Sequence, residues 1–296
     1  MALDPTLQFT APGVSNGGDV ITGESADYFG FSLTTGDLDA DGRTDLAVGA
    51  IGYPDGDSNG RVYIFYADSS IATTATAADV TITGETIYDY FGTSLTSGDW
   101  NADGRTDLAV GADSYPDDGG IGRVYIFYND DSIPTTAATA DVIITGETDS
   151  YFGGSLTSGD FNADGKIDLA ASASVYSTQT GRVYIFYGDG SIPTTAATAD
   201  VIITGNATND YFGTSLTSGD FNADGRTDLA VGAYFYSGNT GRAYIFYNDG
   251  SIPTTAGTAD VTITGEATSS FGYSLTSGDW NSDGRTDLAI GSQGHT

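Results

Sequence analysis

YFGTSLTSGDFNADGRTDLAVGA, residues 211–233, holds an aromatic-glycine pair, a Ser/Thr-rich run, an aspartate-rich loop and a second apolar run in one short stretch. It recurs along the chain. The Phe-Gly pair stands at Phe29-Gly30, Phe91-Gly92, Phe152-Gly153, Phe212-Gly213 and Phe271-Gly272, with spacings of 62, 61, 60 and 59 residues. The first four copies continue with GR(V/A)YIFY and a Ser/Thr/Ala-rich connection that ends in DVxITG. Self-similarity at a fixed period marks a unit that buries its apolar faces only by stacking on its neighbours.

Four apolar runs of four to six residues occur in each full copy, rich in Val, Ile, Tyr, Phe and Thr and bounded by Gly, Asp, Asn and Pro. They read as strands, with no competing helical period. In the first copy these are A (Phe29 to Thr34), B (Asp45 to Ala50), C (Arg61 to Tyr66) and D (Val80 to Thr83). Strand A is small-residue-rich and strand C carries Tyr-Ile-Phe-Tyr, so the sheet is a wedge, and wedges pack radially. Strand C is apolar on consecutive residues, which implies burial on both faces. The fifth copy stops after A and B (Phe271 to Thr276, Asp287 to Ser292), while the N-terminus supplies a D strand, Val20 to Thr22, and a C-strand candidate, Leu7 to Thr10. The expected fold is all-β: one five-bladed β-propeller over residues 1–296, four antiparallel strands per blade, its N-terminal strands completing the blade begun by the C-terminal ones. Blades are expected at about 26–84, 87–146, 149–205 and 208–265, and the fifth at about 268–296 plus 3–23.

Nine Lys+Arg against 40 Asp+Glu give a formal net charge of -31, which excludes nucleic acid and anionic membranes as natural partners. The basic residues fall in two repeated columns: Arg43, Arg105, Lys166, Arg226 and Arg285, and Arg61, Arg123, Arg182 and Arg242. The second column is expected to pair with acids inside each repeat. There is no Cys, so neither disulfides nor thiolate metal sites are available. No stretch approaches the roughly 20 apolar residues of a membrane span, and MALDPTLQFTAPG lacks the pattern of a signal peptide. A ring closed by its own ends is expected to be a monomer.

The acidic loops read DLDADGRTD (Asp37 to Asp45), DWNADGRTD (Asp99 to Asp107), DFNADGKID (Asp160 to Asp168), DFNADGRTD (Asp220 to Asp228) and DWNSDGRTD (Asp279 to Asp287). Oxygen ligands at positions 1, 3 and 5 converge when the chain curls around an ion, and Gly at position 6 permits the turn. The candidate side-chain ligands are Asp37, Asp39, Asp41 and Asp45; Asp99, Asn101, Asp103 and Asp107; Asp160, Asn162, Asp164 and Asp168; Asp220, Asn222, Asp224 and Asp228; and Asp279, Asn281, Asp283 and Asp287. Arg43, Arg105, Lys166, Arg226 and Arg285, at position 7, offer backbone carbonyls. Hard oxygen ligands without His or Cys favour Ca2+, about five ions, over zinc or copper. An EF-hand would need an acid at position 12, where Val48, Val110, Ala171, Val231 and Ile290 stand instead. An Asp-Gly turn with a solvated acidic surface is the plainer alternative, and five matches in register weigh against it.

With Phe-Gly, the aspartate loop and Gly-Ala after strand B in register, the repeat resembles the FG-GAP family, best known from integrin alpha-subunit propellers. That resemblance implies calcium in the loop joining strands A and B and ligand binding on the opposite face through the D-A and B-C loops; loops of this kind suit millimolar extracellular calcium, so an extracellular or cell-surface setting is expected. Integrin propellers have seven blades where five repeats are counted, and the third copy reads Ala170 to Ala173, Ala-Ala-Ser-Ala, in place of Val/Ile-Gly-Ala/Ser.

On that opposite face, Tyr28, Tyr90, Tyr151 and Tyr211 precede the Phe-Gly pairs, and Tyr53, Tyr115, Tyr176 and Tyr236 fall in the B-C loops. Aspartates nearby, including Asp55, Asp57, Asp117 and Asp118, complete an expected ring of tyrosines and acids suited to a protein or glycan ligand. Packing of these tyrosines between blades is the alternative. Catalysis is not expected: the acids fall in repeated columns, and the lone His295 sits next to the end of the sequence. A glycosidase-like site and a passive calcium-rigidified scaffold are the competing functions.

Overall fold

Each of the first four repeats forms one four-stranded antiparallel sheet with its strands side by side in chain order. A computed structural model describes residues 6–9, 19–54, 56–67, 71–116, 119–130 and 132–294. A two-stranded sheet, β1 (Thr6–Phe9) and β2 (Asp19–Thr22), comes first. Blade one is β3 (Phe29–Gly36), β4 (Asp45–Ala50), β5 (Arg61–Phe65) and β6 (Val80–Thr83). Blade two is β7 (Leu95–Gly98), β8 (Asp107–Ala112), β9 (Arg123–Phe127) and β10 (Val142–Thr145). Blade three is β11 (Leu156–Gly159), β12 (Asp168–Ala173), β13 (Arg182–Phe186) and β14 (Val201–Thr204). Blade four is β15 (Leu216–Gly219), β16 (Asp228–Ala233), β17 (Arg242–Phe246) and β18 (Val261–Thr264). A second two-stranded sheet, β19 (Phe271–Gly278) and β20 (Asp287–Ser292), comes last.

The consecutive apolar residues of strand C are divided between two interfaces. In blade two, Tyr125 and Phe127 point back and pack with Phe91, Leu95, Leu108 and Val110 against Val62, Ile64 and Ile82 of blade one. Val124 and Ile126 point forward and pack against Phe152, Tyr184 and Phe186 of blade three. The Phe of each Phe-Gly meets the strand-C aromatics edge-on, Phe91 with Tyr125 at 5.4 Å and with Phe127 at 6.3 Å, a favoured geometry for the ring quadrupoles. The core therefore lies between blades. Leu38, Trp100 and Phe161, at position 2 of the aspartate loops, close the same interfaces at one end.

The Ser/Thr/Ala-rich connections from strand C to strand D contribute to the core and to the joining of blades. Each makes a short 3-10 turn that plants one alanine, Ala75, Ala137, Ala196 or Ala256, in the core. Each also binds the preceding D strand: the amides of Thr22, Thr83, Thr145 and Thr204 donate to the carbonyls of Thr73, Thr135, Thr194 and Thr254 at 3.0–3.1 Å.

The third copy's departure has a structural solution. Elsewhere a Ser on strand A donates to the Phe-Gly glycine carbonyl of the next blade: Ser32 to Gly92, Ser94 to Gly153 and Ser215 to Gly272. A Cβ on Gly49, Gly111 or Gly232 would overlap both groups of that bond. Ser172 stands at this position in blade three, and Ser155 turns away, its hydroxyl accepting from the Leu216 amide at 3.0 Å while the Ser172 hydroxyl accepts from the Ser155 amide at 3.0 Å.

The propeller architecture agrees with the sequence reading; closure differs. Among the described residues, β19–β20 and β1–β2 remain separate two-stranded sheets and do not join into a fifth four-stranded blade. Each half is held by its own neighbour. Ile21 of β2 packs with Phe29 ahead of blade one. Phe271 bridges to Gly241 of blade four. Thr10 and His295 lie outside the described residues.

Candidate functional site

The five A-B loops share one hydrogen-bond scheme. At position 1, a carboxylate oxygen accepts from the position-6 glycine amide: Asp37 from Gly42, Asp99 from Gly104, Asp160 from Gly165, Asp220 from Gly225 and Asp279 from Gly284, at 2.8–3.0 Å. Position 3 accepts from the position-5 amide, as Asp39 from Asp41 and Asn101 from Asp103, both at 3.0 Å. Position 5 accepts from the position-7 amide, as Asp41 from Arg43 at 2.8 Å. Left-handed backbone at Ala40 (φ 62) and Gly42 (φ 86) produces this inward curl.

Position 9 has a second task. Asp45 accepts from the Leu38 amide at 2.7 Å and from the Ala67 amide, just past strand C, at 2.8 Å. Asp107, Asp168 and Asp228 repeat the pair of bonds. Asp287 accepts from Trp280 at 3.1 Å. These carboxylates tie the loop to the sheet before any ion is considered. At position 7, Arg43, Arg105 and Arg226 donate to the carbonyls of Ala67, Asn129 and Asn248 at 3.0–3.1 Å, and the Arg43 guanidinium also lies 3.6 Å from the Asp41 carboxylate.

The donor set fits a hard cation. Oxygens of Asp37, Asp39 and Asp45 lie within 4.8 Å of one another, and Asp37 Oδ1 is buried without a hydrogen-bond partner. Burial pushes Asp107 and Asp168 up to about 6, with Asp45 and Asp228 shifted the same way, because their backbone hydrogen bonds only partly replace lost water. The folded chain therefore holds these protons more tightly than the unfolded chain, whose aspartates ionise near pH ~3.9. In metal-free protein these groups favour folding below pH ~4, and that contribution is lost as pH rises through about 6. A cation needs the ionised form, so protons compete with it. Calcium affinity measured by titration calorimetry is expected to fall progressively below pH ~6; a flat profile from pH ~7 to ~5 would contradict this.

On the opposite face, four of the eight singled-out tyrosines form the floor of an arginine stack. The guanidinium groups of Arg61, Arg123, Arg182 and Arg242 lie 3.3, 3.6, 3.8 and 3.7 Å over Tyr53, Tyr115, Tyr176 and Tyr236. Three of these arginines pair with a glutamate after strand D: Arg61 with Glu24 at 3.2 Å, Arg123 with Glu85 at 3.0 Å and Arg182 with Glu147 at 2.8 Å. The glutamates were not singled out from sequence, though their Gly-Glu column was visible. In the fourth repeat Asn206 takes the glutamate's place, and Arg242 donates to Thr264 at 3.0 Å. Replacing Glu85 by Ala is expected to cost about 1–2 kcal/mol in urea denaturation, the cost of a lost charge-assisted bond; a loss below ~0.3 kcal/mol would show that the stack alone holds Arg123.

The expected acid ring is only partly exposed. Asp27, Asp89 and Asp210 are buried turn-formers, Asp27 accepting from the Glu24 and Phe29 amides at 2.7 and 3.1 Å. Asp55, Asp117 and Asp118 lie outside the described residues. Tyr28, Tyr90, Tyr151 and Tyr211 all adopt left-handed backbone at the corner into strand A, with Tyr28 48% exposed. Sequence symmetry hid one feature: Tyr211, Tyr234, Phe235 and Tyr273 gather between blade four and β19, with ring centroids 5.2–5.9 Å apart.

The FG-GAP repeat model matches residues 29–65, 91–127, 152–186, 212–246 and 271–296. The chain belongs to the FG-GAP repeat family. Integrin alpha-PS2 of Drosophila melanogaster is 35% identical over 223 residues, 70% of this chain and 15% of that protein. Human phosphatidylinositol-glycan-specific phospholipase D is 34% identical over 227 residues, 69% of this chain and 26% of that protein. Integrin alpha-5 of Xenopus laevis is 33% identical over 219 residues, 70% of this chain and 20% of that protein. The chain thus spans no more than about a quarter of the length of these FG-GAP relatives. No described helix is long and apolar enough to cross a membrane.

Proposed function

We propose that this FG-GAP chain is a calcium-loaded, non-catalytic recognition module of the extracellular space or cell surface. Its A-B loops take one Ca2+ each, and the opposite face carries the surface for a protein or glycan ligand. The observation that carries the metal reading is the first loop, where three carboxylates converge and Asp37 Oδ1 is buried without a partner. Calcium bound there would supply the positive charge that sixteen loop carboxylates lack, five ions offsetting ten of the -31 formal charges. In the first four loops the position-9 aspartates hold the loop against strand C, so an ion at the loop would stiffen the blade as well. Similarity to integrin alpha subunits supports the cell-surface setting. The same repeat also accompanies a phospholipase D by name, but the acids of this chain fall in repeated structural columns.

The ligand surface centres on the Tyr211, Tyr234, Phe235 and Tyr273 cluster, where Tyr273 is 44% exposed. Rigid aromatic planes bind sugar faces and protein anchors at low entropic cost. Two measurements test the reading. Titration of stripped protein with Ca2+ is expected to saturate near five ions, and absence of uptake would end the metal assignment. A glycan and matrix-protein array is expected to yield a ligand whose binding is lost in Tyr273→Ala; silence across the array counts for the scaffold role.

A further inference from the structure

The two ends of the blade array are complementary halves of one blade. At the C-terminal end, β19–β20 presents the forward face that every earlier blade buries. Ser94 and Thr96 of blade two are 8% exposed and Trp100 is 0% exposed, whereas the matching Ser274 and Thr276 are exposed and Trp280 is 56% exposed. At the N-terminal end, strand A of blade one is open on its backward face, although Phe29, Val48, Tyr63 and Phe65 are buried there with Ile21: Leu33 is 45% exposed, while the matching Leu95, Leu156 and Leu216 are 6–8% exposed. Among the described residues, the A–B pair β19–β20 comes last and the β1–β2 pair comes first.

We propose that the occupant of each face is a second copy of this chain, joined head to tail, with the β1–β2 pair of one copy completing the blade begun by β19–β20 of the other. Contacts repeated between blades within the chain specify this junction. Ser32, Ser94 and Ser215 each donate to the glycine carbonyl of the following Phe-Gly. Ser274 is the next donor in the series, and Gly30 of the incoming copy offers the matching Phe-Gly carbonyl. Ser97, Ser158, Ser218 and Ser277 each donate back to the carbonyl of Thr35, Ser97, Ser158 and Ser218. Thr35 of the incoming copy continues this ladder onto Ser277.

Strand pairing adds a register. β1 pairs with β2 as Thr6↔Thr22 and Leu7↔Ile21, which aligns Thr6 and Leu7 with Arg61 and Val62 of blade one, where Arg61↔Thr83 and Val62↔Ile82. Since Arg61 and Val62 pair with Ala50 and Gly49, Thr6 and Leu7 should pair with Ser292 and Gly291. Among the described residues β20 pairs only with β19, and the junction caps its other edge, a need of any exposed strand. The contact is heterologous, so repetition gives rings or filaments, according to the turn per blade. Copies at a net charge of -31 repel one another, so salt and calcium should strengthen association.

The expectation of a monomer rested on closure within one chain, and sedimentation velocity of the calcium-loaded protein separates the two. Mass is expected to rise above the 30.4 kDa of one chain with concentration, and Ala289→Arg, at an exposed position on the forward face, should return it to one chain. A single-chain mass at every concentration overturns the proposal, as does association that survives Ala289→Arg. The absence of Cys allows a second test: Ser292→Cys and Thr6→Cys on separate chains should give a disulfide-linked dimer. The double variant on one chain should oxidise to covalent multimers; a disulfide closed within a monomer would instead establish intrachain ring closure.

Discussion

Metal-stripped protein is expected to unfold at least ~10 °C below the same protein in millimolar calcium. The expectation follows from geometry and charge together. Sixteen carboxylates crowd five short loops, and each loop already aims its position 1, 3 and 5 oxygens through backbone hydrogen bonds. A site whose dissociation constant lies a hundredfold below the free calcium stabilises the fold by about 2.7 kcal/mol. Five such sites exceed ~10 kcal/mol, and in a chain of this size each kcal/mol moves the midpoint by about 2 °C. Scanning calorimetry in chelator and in calcium measures it. Magnesium at equal concentration should give a smaller shift, because it sheds its water reluctantly and demands a stricter geometry. Identical midpoints in chelator and calcium would leave the loops as acidic turns and remove the metal half of the proposed function.

Gly111→Val should cost roughly 3 kcal/mol, while Gly111→Ser should cost about 1. A Cβ on Gly111 would overlap the Gly153 carbonyl oxygen and the Ser94 hydroxyl, the two groups of the bond that joins blade two to blade three. Valine has no way to avoid both, so the blades must separate and lose contact between Val124, Ile126 and Phe152. Serine has a route already taken in blade three: Ser155 turns to the Leu216 amide, and Ser172 bonds the Ser155 amide. Urea denaturation of both variants checks the contrast. Equal costs would mean that the interface yields at this point and that the glycine is there for another reason.

The exposed aromatic cluster and the arginine stacks show why the ligand face was harder to read than the metal loops. Tyr53, Tyr115, Tyr176 and Tyr236 looked like free aromatic planes because the sequence does not show that an arginine lies on each. Tyr234 and Phe235 escaped emphasis because they interrupt the repeat. Their significance comes from Tyr211, at the D-A corner of blade four, and Tyr273, on β19, each brought against Tyr234.

By itself the sequence determined the all-β repeat, its strands, their order within a blade and the inward curl of the aspartate loops. Those features depend on local spacing: consecutive apolar residues along strand C, glycine where φ is positive, and oxygen ligands at alternate positions. Tertiary structure alone decided the partners of Arg61, Arg123 and Arg182, the clamp that position-9 aspartates make to the end of strand C, and the way Ser172 replaces a glycine. It also decided that β1–β2 and β19–β20 stay apart. The reason is that each of these contacts joins residues far apart in the chain, on different strands or neighbouring blades, through packing that no single stretch of sequence encodes.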